Sequence, residues 1–152
     1  MSSDSTREAR AQLEAVYASD GVRSAIAFLN SLTLHRFTSL YRFDEATLRN
    51  ITFFDRENPD ATSCEDIPVE ASYCVFIRDS GAKFLVPDAS RDERVREHPK
   101  RATVLCYCGV PLLDADGKMF GSICHFDLNS GIITEQDVQL LEHMAQLLQR
   151  QL

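Results

Sequence analysis

The 152-residue sequence lacks what would carry a chain into or across a membrane. No apolar run approaches the roughly 20 residues that span a bilayer. The first residues, Met1 to Glu8, have no apolar stretch of the secretory kind. A cytoplasmic chain with no membrane partner is the expectation. Glycine and proline are sparse, at six and five residues, in a composition that is 44% hydrophobic and 26% charged, which excludes collagen-like and low-complexity scaffolds. Positive charge is in deficit: 16 Lys and Arg face 23 Asp and Glu, for a net charge of −7. Such a surface repels phosphate backbones, so no nucleic-acid partner is expected. The five cysteines, Cys64, Cys74, Cys106, Cys108 and Cys124, are odd in number, and three sit in apolar, strand-like runs. They read as reduced thiols and not as a disulfide framework. No G-x-S-x-G, H-E-x-x-H, phosphate-loop or dinucleotide fingerprint occurs. His35, His98 and His143 fall in three different elements, with no nucleophile pattern around them.

The pattern that is present describes one domain over residues 1–152. Ala9, Leu13, Val16 and Tyr17 recur at helical spacing, as do Val22, Ala25, Ile26, Leu29 and Leu32, so helices are expected within residues 1–34. From Arg36 the period drops to two, and Asp44-Glu45-Ala46 separates two strands. Residues 55–68 read as a long acidic loop, the kind that is often functional in a small domain. Residues 73–78 read as a strand, Asp79-Ser80-Gly81 as a turn and residues 83–86 as another strand. Ser90 and Glu93 suggest a capping box for a short helix that Pro99 ends. A long hairpin follows, residues 103–113 and 118–128 around Asp114-Ala-Asp-Gly117. A helix from Thr134 to the end, capped by Thr134 and Asp137, closes the chain. The expected class is α+β: an antiparallel sheet of about six strands over residues 36–128, with the N-terminal helices and the helix 134–152 on one face.

Residues 72–148 carry an ordered set of short motifs: Ser72-Tyr73-Cys74; Leu85-Val86-Pro87-Asp88 with Asp92, Glu93 and Arg94; Tyr107-Cys108-Gly109-Val110-Pro111-Leu112; Asp116-Gly117; Gly121-Ser122-Ile123-Cys124; and Asp127. In that order they resemble a GAF domain, a small-molecule sensing module related in fold to PAS domains. The resemblance implies a cup with the sheet as floor and the connections 55–72 and 88–104 as walls. It makes Tyr73, Cys74, Tyr107, Gly109, Ser122 and Cys124 candidate floor residues, against the reading that they merely fill a core. Glycines at 109 and 121 inside strands suit a bulge or a close approach of another group.

Two clusters carry possible chemistry. Arg91, Arg94, Arg96, Lys100 and Arg101 interleave with Asp92, Glu93 and Glu97. If Arg91 and Arg94 turn inward they favour an anionic ligand; the alternative is a solvated surface. Cys106 and Cys108 share a strand face, and in the hairpin Cys108 is expected near Cys124. These three are the weak metal or redox candidates, against a reading as inert core thiols. His125 alternates away from Cys124, which strains any shared ligand shell.

The resemblance implies a regulatory module that binds an unidentified small molecule and signals through a homodimer of its terminal helices or through a partner protein. Its alternative is a thiol-dependent enzyme of the free methionine sulfoxide reductase type, although that family's cysteines precede residues 103–113 and Asp88 to Ala102 has none. No bilin cofactor is expected, because the one Cys-His pair, Cys124-His125, falls inside a strand.

Overall fold

A computed structural model describes residues 2–61 and 64–152. Two of the expected acidic loop residues, 62 and 63, and Met1 lie outside the described residues. Helix α1 (Ser2–Asp20) runs further at both ends than its apolar stripe. It breaks at Gly21, whose φ of 91° suits glycine, and α2 (Val22–Ser31) follows. Strands β1 (Phe37–Asp44) and β2 (Thr47–Asp55) form the first hairpin, and β3 (Ile67–Pro68) adds a short edge. Then come α3 (Cys74–Ser80), β4 (Phe84–Val86), the long pair β5 (Cys106–Leu113) and β6 (Met119–Asp127), and α4 (Glu135–Gln149).

All strand pairs among the described residues are antiparallel, in the order β3-β2-β1-β6-β5-β4. The fold is α+β, as the patterning implies. Period-two alternation divides the core between the two faces of this sheet. On one face Leu40, Cys108, Val110 and Ile123 meet Leu13, Ile26, Leu29, Leu141 and Met144 of α1, α2 and α4. On the other, Tyr41, Tyr107 and Cys124 meet Ile77 of α3 together with Val69, Val86 and Val95 from the connections. The helix-covered face is a sealed core. The opposite face, covered mainly by loops, has room for a site.

Four expectations need correction. Residues 73–78 are not a strand: Tyr73 precedes helix α3, which places Tyr73, Cys74 and Ile77 at the three-and-four spacing of one buried helical face. Gly81, at φ 71°, ends the helix with its N–H on the Ile77 carbonyl, so Asp79-Ser80-Gly81 is a helix stop and not a strand turn. The helix expected from Ser90 is a pair of single 3-10 turns, Ala89–Arg91 and Glu93–Val95. Asp88 and Asp92 cap them by accepting the N–H groups of Ser90 and Arg94, and the Ser90 hydroxyl is spent on Asp88. Finally, Cys108 pairs with His125 while Gly109 pairs with Cys124, so Cys108 and Cys124 face opposite sides of the sheet.

The cap on α4 forms as read. Thr134 Oγ1 accepts the Asp137 N–H at 3.0 Å, and the Asp137 carboxylate accepts the Thr134 N–H at 3.0 Å. Thr134→Ala is expected to cost about 1 kcal/mol of stability in urea unfolding, whereas an unchanged midpoint would show that packing alone holds the helix start.

Candidate functional site

A cavity of about 270 Å³ lies on the loop-covered face of the sheet. Its floor comes from Tyr41 on β1, Tyr107 on β5, and Cys124 and Phe126 on β6. These are residues of one face on adjacent strands, since β1 pairs with β6 and β6 with β5. Its walls are the segment around Cys64 to Tyr73 and the loop that carries Lys100 and Val104. The lining is mainly apolar and aromatic, with Lys100 and Glu65 as its charged side chains. Neither of those two forms an ion pair to another side chain among the described residues.

His98 fixes one wall to the other. Its Nδ1 accepts the Lys100 N–H at 3.0 Å, which places the ring proton on Nε2, and Nε2 donates to the Ser72 carbonyl at 3.0 Å. The ring also lies tilted against Tyr73, centroids 4.6 Å apart, and the Tyr73 hydroxyl donates to the Val104 carbonyl at 2.9 Å. Burial lowers the His98 pKa, helped by nearby Lys100 and opposed by the Ser72 hydrogen bond. A neutral ring therefore joins the two walls above the floor.

Beside the floor, where α3 covers the same face of the sheet, is a polar cluster. Ser122 Oγ donates to Cys74 Sγ at 3.2 Å, and the Tyr107 hydroxyl lies 3.1 Å from the same sulfur. Gly109 makes room for this arrangement, because a Cβ there would sit 2.4 Å from the Tyr107 hydroxyl. Burial raises the Tyr41 and Tyr107 phenols well above their ordinary range and lifts Tyr73 to about 12. All three are neutral hydrogen-bonding groups at physiological pH.

The sequence candidates divide accordingly. Tyr73, Tyr107 and Cys124 line the cavity, Cys74 and Ser122 lie just behind it, and Gly109 seats the Tyr107 ring. Arg91 and Arg94 do not enter it. Arg91 is 87% exposed beside Asp88. Arg94 is bound to Asp92 and to the Leu85 carbonyl, and its guanidinium lies 4.6 Å over the Phe84 ring. Lys100 is the one basic residue of that cluster at the cavity. Cys106 and Cys108 face the helices, away from Cys124, and no group of three metal-ligating side chains converges among the described residues. Burial raises Cys106 to about 12 and Cys108 further, as expected for core thiols. Cys124 and His125 also point to opposite faces, His125 donating or accepting at Thr38 on the helix side.

Tyr41, Cys64 and Phe126 are cavity residues that sequence reasoning missed. The alternation along β1 and β6 carried a signal for Tyr41 and Phe126, since each shares a face with a candidate on the neighbouring strand. Cys64 sits in an irregular segment with no period to read.

A family model for the GAF domain matches residues 6–152. The chain belongs to the GAF domain family. Over 84 residues it is 36% identical to a cyclic di-GMP phosphodiesterase of Pseudomonas aeruginosa, a stretch that is 53% of this chain and only 14% of that protein. Among solved structures, the GAF domain of an Acinetobacter phosphoenolpyruvate-protein phosphotransferase superposes with a TM-score of 0.76 at 13% identity, covering 95% of this chain and 90% of that one. A free methionine-R-sulfoxide reductase of Neisseria meningitidis, solved with its substrate, gives 0.75 at 20% identity, with 95% and 86% covered. At those identities the structural likenesses establish the GAF fold. No helix of the described residues is long and apolar enough to cross a membrane.

Proposed function

We propose that this GAF domain is a sensory, regulatory module that binds a small molecule in the cavity over β1, β6 and β5. The observation that carries the reading is the cavity itself: a concave, mostly apolar and aromatic space of about 270 Å³ with a few neutral phenols and one Lys and one Glu among its lining residues. Binding sites commonly combine such apolar walls with a few placed polar groups. The volume suits a compact metabolite. Its floor strands carry α2 and α4 on their other face, with α1 packed on those two helices, so a ligand that prefers one floor arrangement biases the packing of those helices.

Output through a homodimer or a partner protein is part of the proposal. The apolar stripes of α1 and α4 are buried within this chain, at Leu13, Leu141, Met144 and their neighbours. The contact surface would therefore be the outer, polar helix faces, and sedimentation with and without a bound metabolite tests it.

Filling the cavity provides a direct test of ligand binding. Ala71→Trp places an indole at a lining position outside the β-sheet. In a thermal-shift screen of a metabolite library, hits should stabilise the natural protein by about 3 kcal/mol at a hundredfold excess over Kd and leave the tryptophan variant unmoved. Equal stabilisation of both proteins would place binding elsewhere.

A second reading, a thiol-dependent reductase of the free methionine sulfoxide type, draws on one observation. Cys64 and Cys124 line the cavity, with Cys74 directly behind it. Turnover of free methionine sulfoxide with a thiol reductant, lost on mutation of Cys124 or Cys64, would favour the enzyme over the sensor.

A further inference from the structure

The five cysteines have unlike surroundings, and one pair differs from the rest. Cys74 and Cys124 are fully buried between α3 and β6, on the cavity side of the sheet. The Cys74 sulfur has close polar partners: Ser122 Oγ donates to it at 3.2 Å and the Tyr107 hydroxyl lies 3.1 Å away, while Cys124, two residues from Ser122 on β6, packs in the same cluster. Sulfur is a weak acceptor as a thiol and a strong one as a thiolate, so converging donors select the anion. Burial alone would raise the Cys74 pKa; the hydrogen bonds from Cys124, Ser122, Ser72 and Tyr107 outweigh it and draw the thiol below its ordinary value. Cys124 moves the other way, pushed up by burial, by its hydrogen bond to Cys74 and by the neighbouring charge. The pair therefore consists of one stabilised nucleophile and one protonated thiol beside it. Cys124 and Tyr107 also line the cavity, and the Cys74 sulfur lies one side chain behind its surface, 3.1 Å from the Tyr107 hydroxyl.

We propose that Cys74 and Cys124 are a peroxide-reactive thiol pair at the edge of the cavity floor that closes into a disulfide, joining α3 to β6. The oxidant is a hydroperoxide. The Cys74 thiolate attacks its distal oxygen, the O–O bond breaks, and the alkoxide or hydroxide leaves and takes up a proton, leaving Cys74 as a sulfenic acid. Cys124 then attacks the Cys74 sulfur. The S–O bond breaks as the S–S bond forms, and the oxygen leaves as water with the Cys124 proton and the sulfenic proton. In sum, one hydroperoxide is reduced by two electrons to an alcohol, or to water from hydrogen peroxide, and two thiols are oxidised to one disulfide and one water. Once the anion is gone, Ser122 and Tyr107 lose their charged acceptor. Because Tyr107 is part of the cavity floor, oxidation alters the surface that a ligand meets. The inference goes beyond ligand sensing and does not depend on it.

The test uses the full chain and hydrogen peroxide, followed by alkylation under denaturing conditions, intact mass and peptide mapping. The expected result is loss of two hydrogens, reversed by dithiothreitol, with the disulfide mapped to Cys74 and Cys124. Cys124→Ser should stop at a sulfenic acid on Cys74 that dimedone traps. Ser122→Ala should slow Cys74 oxidation by about tenfold, the effect of losing one hydrogen bond to a charged group. A disulfide that uses Cys64, or a Cys74 left unmodified in protein that keeps its native circular dichroism, overturns the proposal. The map of the natural protein decides the question even where a serine variant fails to fold.

Discussion

Urea unfolding measured from about pH 7 down to about pH 5 should show stability falling by as much as 1.4 kcal/mol per pH unit for each buried neutral histidine. His35 and His125 are the main source. Both are nearly sealed from solvent on the helix side of the sheet, with ring centroids 6.1 Å apart. Asn30 donates to Thr38 Oγ1 at 2.9 Å, and that hydroxyl lies 2.7 Å from His125 Nδ1. His35 Nδ1 lies 3.6 Å from the Cys106 sulfur and its Nε2 lies 3.8 Å from the Asp137 carboxylate.

Burial is the leading cause that lowers both histidines. At His35 it is opposed by Asp137 and Asp127 and reinforced by Arg56. At His125, where Asp137 opposes while His35 and Arg56 reinforce, the value falls to about 3. An unfolded histidine titrates near 6.5. Above that pH both states are neutral and the full stability is present. Below it the unfolded chain takes up protons that the folded chain refuses, so stability is lost as pH falls, for His125 down to about pH 3. His98, also lowered, adds to the slope. Asp55, held below the usual carboxylate range chiefly by its hydrogen bond from Arg36, contributes at a lower pH. Its stability is present above about pH 4 and lost as pH falls through its folded value. His125→Gln should flatten the slope between about pH 6.5 and pH 5 by up to one proton; an unchanged slope would mean that His125 already charges in the folded chain.

That histidine network shows where sequence reading stops. His35, Thr38, His125 and Asp137 come from a connection, two strands and a helix start, and no local pattern joins them. Local patterns served well where neighbours along the chain decide the geometry. The hairpin turns at Asp44-Glu45-Ala46 and Asp114 to Gly117, the Thr134 and Asp137 cap, and the strand period from Phe37 all form as their chemistry implies. They failed where one composition suits two periods. The run from Tyr73 to Arg78 is aromatic and β-branched enough to read as a strand, but its buried positions fit a helix laid over the sheet. The cavity was partly legible for the same reason. Tyr107 and Cys124 lie on strands whose alternation is regular, whereas Cys64, Glu65 and Lys100 come from irregular walls whose direction is set by tertiary hydrogen bonds such as those of His98. Arg94 shows the converse: a basic residue beside a cup is drawn outward because Asp92, two residues away, already satisfies it.

Gly121→Val should be the most damaging single change in the sheet, costing about 3 kcal/mol or preventing folding. A glycine inside this strand suggested close approach of another group, and that group is backbone. Gly121 pairs with Arg42 on β1 and with Leu112 on β5, next to the irregularity where Leu112 opposes Gly121 but Leu113 opposes Met119. Phe120 is the extra residue of that bulge. A Cβ at Gly121 would lie 1.8 Å from the Tyr41 carbonyl oxygen and 2.8 Å from its carbon. Main chain held in two ladders cannot swing aside as a side-chain tip can, so β1 and β6 must separate there. Tyr41 is also part of the cavity floor, so any variant that still folds should lose ligand-dependent stabilisation along with stability. Gly131→Ala is the control: its Cβ would meet only the His35 ring, at an ordinary 3.9 Å, and a change within about 0.5 kcal/mol is expected. Equal urea midpoints for the two variants would show that the sheet relaxes around residue 121 and that glycine is not required there.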